Sequence, residues 1–110
     1  MSTSLSYTVS HSAALPAEAL RAIAAAFERA NQELPDGTEP LGFVAEDSPG
    51  EYGGSSKLPS DDAAIVPALL ALFAGLSDAR RAIPDALWEV SLDDTAADWD
   101  EERGYSLPWL

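Results

Sequence analysis

His11 is the only imidazole in the chain, and there is no cysteine. A lone histidine acts as a general base or a metal ligand only with a partner that orients it or shares the ion. It stands in Ser10-His11-Ser12, where a first strand gives way to a first helix, with no second His and no Cys to cooperate. It therefore reads as a polar turn residue. The missing cysteines also exclude a thiolate nucleophile, a disulfide frame and a Cys-based zinc site.

Carboxylates are the remaining chemistry. Asp98, Asp100 and Glu102 match the first three ligand positions of a calcium loop, but Gly104 falls one residue late and Trp109 stands where the closing Glu belongs. Asp61-Asp62 and Asp93-Asp94 are adjacent pairs, and adjacent side chains rarely converge on one substrate atom as paired acid/base carboxylates must. Gly50 to Gly54 lacks the lysine of a phosphate loop, and its neighbours Glu46, Asp47 and Glu51 repel phosphate. No catalytic set, metal site or cofactor is read from these residues.

What stands out is where the charge lies. Nineteen Asp and Glu face six Lys and Arg, a net charge of −13 and a pI near 4.1. Residues 36–62 hold seven acids against Lys57, and residues 89–110 hold seven against Arg103. Nearly all the net charge therefore sits in two segments, and the stretches between them are almost neutral. Nucleic acid and anionic lipid are disfavoured as partners, because phosphates are repelled and no basic stripe attracts them. Trp99 lies between Asp98 and Asp100 in the most acidic stretch, and an aromatic ringed by charge has the composition of an interface anchor. The competing reading is that Trp99 turns in on a sheet edge while its neighbours face water, as an alternating strand does unaided.

The elements that must carry these residues follow from periodicity. Leu5, Tyr7 and Val9 alternate with Ser6 and Thr8 as a half-buried strand. Pro16 and Glu18 open a helix whose Leu20, Ile23, Phe27, Ala30 and Leu34 share one face, and Pro35-Asp36-Gly37 closes it. Leu41, Phe43 and Ala45 suggest a second strand; Ser48 to Glu51 is a turn, and Tyr52 to Leu58 a short third strand. Ser60-Asp61-Asp62 caps a second helix, apolar on more than one face, in which Pro67 demands either a later start or a kink. Trp88, Val90 and Leu92 form another strand, Asp93 to Arg103 an acidic connection, and Tyr105 to Leu107 a final edge strand.

This order predicts a single α+β domain over 1–110, a two-layer sandwich with two helices on one face of a mostly antiparallel sheet. It matches the β-α-β-β-α-β pattern of a ferredoxin-like sandwich with an extra C-terminal edge strand. No repeat, linker, basic signal start or run of about 18 apolar residues is evident, which points to a cytoplasmic protein.

The functional expectation is a non-enzymatic acidic binding protein that neutralises a basic protein partner, in the manner of an inhibitor, immunity protein, antitoxin or nucleic-acid mimic, with a nuclease-like toxin as one candidate partner. Its surface would be Glu46, Asp47, Glu51 and Tyr52 from one segment, with Asp93, Asp94, Asp98, Trp99, Asp100, Glu101 and Glu102 from the other. The alternative is a homodimeric structural or regulatory module whose acidity serves solubility or a high-salt setting.

Overall fold

A computed structural model describes residues 3–45 and 49–108. Glu46, Asp47, Ser48 and Trp109, all used in the readings above, lie outside the described residues.

Strand β1 (Ser4–Ser10) is flanked by β3 (Glu51–Lys57) and β4 (Leu87–Leu92), both antiparallel to it. The two-residue strands β2 (Val44–Ala45) and β5 (Thr95–Ala96) complete a five-stranded sheet of order β2-β3-β1-β4-β5. Leu5, Tyr7 and Val9 point into the core opposite Leu92, Val90 and Trp88, while Ser6 and Thr8 face out, so the alternation in the sequence sets the two faces. Helices α1 (Ala17–Asn31) and α2 (Asp62–Ala82) pack together over the inner face. The result is the expected small α+β sandwich with a mostly antiparallel sheet.

Three local differences, and the glycines within the expected third strand, have physical causes. Leu41 and Phe43 do not extend β2, because their segment is bonded to side chains instead of to a ladder. The Asn31 amide clamps Leu41 through both its N–H and its carbonyl, at 2.8 and 3.2 Å, and Gly42 N–H donates to the Tyr7 hydroxyl at 3.1 Å. Gly53 to Ser56, flexible in composition, lies inside β3; a Cβ at Gly54 would come within 2.7 Å of the Tyr7 ring, so only glycine lets that ring lie across the strand. Helix α2 runs unbroken through Pro67 from an Asp61 cap that accepts from Ala63 N–H at 3.1 Å. The carbonyl that Pro67 leaves without a helical partner belongs to Ala63, which is exposed to solvent.

The last difference concerns the C-terminal edge strand. The strand beside β4 is β5, whereas the chain's last strand, β7 (Gly104–Ser106), pairs with β6 (Asp98–Asp100) in a separate hairpin laid against α2. That hairpin also gives α2 a further buried side, beyond its contacts with the sheet and α1. Helix α2 has the length of a membrane span and a mean hydropathy of 1.5 over its most apolar stretch, yet its uncharged run, residues 63–77 between Asp62 and Asp78, is shorter than the about 18 apolar residues sought in the sequence. Leu69, Leu72, Phe73 and Leu76 of that helix are buried in the core, which accounts for its apolarity.

Candidate functional site

The β6–β7 hairpin carries the densest acidity in the described structure, and α2 holds it in place. Ser77, buried on α2, donates to the Phe73 carbonyl at 2.6 Å and accepts from Tyr105 N–H at 2.9 Å, tying β7 to the helix. Gly104, with φ of +85°, lets the turn close over Ser77; a Cβ there would meet Ser77 Cβ at 2.8 Å. One turn further along α2, Arg80 lays its guanidinium 4.2 Å above the Trp99 ring and donates to the Tyr105 hydroxyl at 3.0 Å. Arg81 reaches the Glu101 and Glu102 carbonyls, each at 3.3 Å. Burial pushes the Tyr105 phenol above its ordinary pKa, with Arg80 opposing that shift.

Trp99 is therefore occupied. Its ring is half-buried, 4.9 Å from Tyr105 and beneath Arg80, and its indole N–H donates to Glu101 Oε1 at 3.1 Å. It turns inward while Asp98 and Asp100 face solvent, as strand alternation allows. Asp100 is committed too: its Oδ1 accepts from the N–H groups of Arg103 and Glu102 at 3.0 and 2.8 Å, and these bonds hold its carboxyl below the usual range. Among the described residues, the Asp98 and Glu102 carboxylates accept no hydrogen bond and form no ion pair, and both residues are exposed.

Glu51 and the Asp93–Asp94 turn do not meet. Glu51 lies opposite Ser10 at one end of β1, whereas Asp93 closes the other end, donating its N–H to the Ser4 carbonyl and accepting from Ser4 N–H. Six residues of extended chain separate these ends by about 20 Å. Tyr52 faces inward, its hydroxyl accepting from Leu15 N–H at 3.2 Å and its ring near Phe43. The second segment does hold together: Asp93 and Asp94 form the turn into β5, and the chain passes through Ala97, bonded to the Val90 carbonyl, straight into Asp98. No group of three His, Cys, Asp or Glu among the described residues is placed to hold a metal.

His11 has the orienting carboxylate that the sequence did not reveal. Its Nε2 lies 2.8 Å from Asp85, and its Nδ1 lies 2.8 Å from the Ala13 carbonyl. The hydrogen bond to Asp85 raises its pKa, with help from Ala13, and the same bond lowers that of Asp85. Both ring nitrogens are hydrogen-bonded within the chain, so the pair clips the end of β1 to the loop between α2 and β4.

The supports of the hairpin, Ser77, Arg80, Arg81 and Tyr105, were not singled out from sequence. The one available signal was the spacing of Ser77 and Arg81, four residues apart on one helix face. Compared with protein-family models, with curated proteins and with solved structures, the chain matches none.

Proposed function

We propose that this chain is a small acidic binding protein that engages a positively charged protein surface through the edge formed by Asp93, Asp94, Asp98 and Glu102. The observation that carries this reading is the division of labour in the hairpin. Asp100 and Glu101 are spent on its own turn, while Asp98 and Glu102 have no intramolecular partner among the described residues and stand on a strand pair braced by Ser77, Arg80 and Arg81. Fixed, unpaired charge of one sign steers an oppositely charged partner and raises association rates by about 10- to 1,000-fold. Tyr52 and Trp99 serve the fold in this reading, and Glu51 lies at the far end of the sheet.

The test begins with capture from extract of the native host at low ionic strength, followed by elution with salt and identification of a basic protein. The association rate of that purified protein is then measured with the wild type and with Asp98→Lys combined with Glu102→Lys. The reading expects association slowed by roughly tenfold and a flattened salt dependence. Asp100 is left intact because its substitution would open the turn. A double variant that associates as fast as the wild type at every salt concentration overturns the assignment of this edge.

A further inference from the structure

An apolar groove of about 550 Å³ runs between α1 and the Leu41–Phe43 segment. Its floor is Ile23, Phe27, Leu41 and Phe43, and Leu20, which the helical period places with the core, stands at its rim 39% exposed. Helix α1, like α2, is also electrically unlike the two acidic segments. Within Ala17–Asn31 it carries Glu18 and Glu28 against Arg21 and Arg29, a net charge of zero in a chain of −13. A basic partner has little reason to choose this face. A second copy of the chain has one, since the acidic segments of two copies repel and this neutral face does not.

The order of residues on the exposed side of α1 is self-complementary. Arg21, Ala24, Ala25 and Glu28 are all exposed and recur at helical spacing along one stripe. Among the described residues, neither Arg21 nor Glu28 has an intrachain ion pair. Two such helices packed antiparallel about an axis between Ala24 and Ala25 set Arg21 of each copy against Glu28 of the other. A two-fold contact is made of one patch used twice, so this pairing occurs in duplicate. The alanines at the centre permit the close approach of helix axes, about 8 Å, that brings both charge pairs into reach.

We propose that this protein forms a two-fold homodimer through α1, with antiparallel helices, reciprocal Arg21–Glu28 pairs and the groove rim covered by the second copy. This surface is separate from the acidic edge, so its test needs no partner protein.

Sedimentation equilibrium of the purified chain at moderate salt, from micromolar to millimolar concentration, reads the outcome. The wild type is expected to dimerise. Arg21→Glu, which places like charges opposite each other twice, is expected to weaken the dimer by at least about tenfold. Arg21→Glu combined with Glu28→Arg restores the pairs in reverse and is expected to restore the dimer. Both positions are exposed, and circular dichroism checks that each variant stays folded. A wild type that is monomeric throughout overturns the proposal, including the case in which the groove instead takes a small apolar ligand or another protein's helix. A dimer insensitive to Arg21→Glu, or one that the charge swap fails to rescue, overturns the antiparallel pairing.

Discussion

His11 and Asp85 are held in a pair whose effect on stability has a definite pH window. The pKa of His11 is raised above its ordinary value of 6.5, so its contribution is complete below that pH and is lost as pH rises through the shifted value. The pKa of Asp85 is lowered from 3.8, so its contribution is complete above that pH and is lost as the medium becomes more acidic. The melting temperature of Asp85→Asn should therefore fall furthest below that of the wild type between pH 3.8 and 6.5, and the gap should narrow on the alkaline side. A gap independent of pH would remove the pair from the account. Ser77 makes a second residue-scale prediction. Ser77→Ala leaves the Tyr105 N–H buried without an acceptor, which costs about 1–3 kcal/mol in urea denaturation. His11 and Ser77 were visible in the sequence only as residue types, since their partners lie 74 and 28 residues away.

Helix α2 shows how an element can carry two departures from helical preference with opposite consequences. Pro67 removes a hydrogen bond where the helix is exposed, so Pro67→Ala should stabilise the protein, by up to about 3 kcal/mol. Gly75 is also a poor helix former, yet a Cβ there would lie 2.6 Å from Ala30 Cβ and 2.7 Å from Leu41 Cδ1, so Gly75→Ala should destabilise despite its better propensity. Denaturant titration of the two variants checks both signs. The long elements were legible because each repeats its own period: two in β1 and β4, and three to four in α1. The short ones were not. β2 is cut to two residues by Asn31 and Tyr7, side chains from other elements. The hairpin lay hidden in an acidic stretch because what holds it is α2, and no local pattern announces that.

At the scale of the molecule, acidic self-repulsion opposes the compact state. Raising ionic strength from about 0.01 to 0.15 M shortens the screening length from roughly 30 to 8 Å, and the melting temperature should rise with it. A fall would mean that the few attractive pairs outweigh the repulsion. The charge excess and its division into two segments are properties of the sequence by itself, as are the α+β class and the inward faces of β1, β4 and α1, because composition and periodicity are local quantities. Tertiary structure decided what those charges are free to do. It set Glu51 about 20 Å along the sheet from Asp93, spent Asp100 and Glu101 on a turn, drew Trp99 under Arg80, and left Asp98 and Glu102 without partners among the described residues. It also turned Leu20 out onto a neutral helix face. Each outcome depends on which side chain from a distant element arrives within hydrogen-bonding or packing distance, and that is settled only when the elements dock.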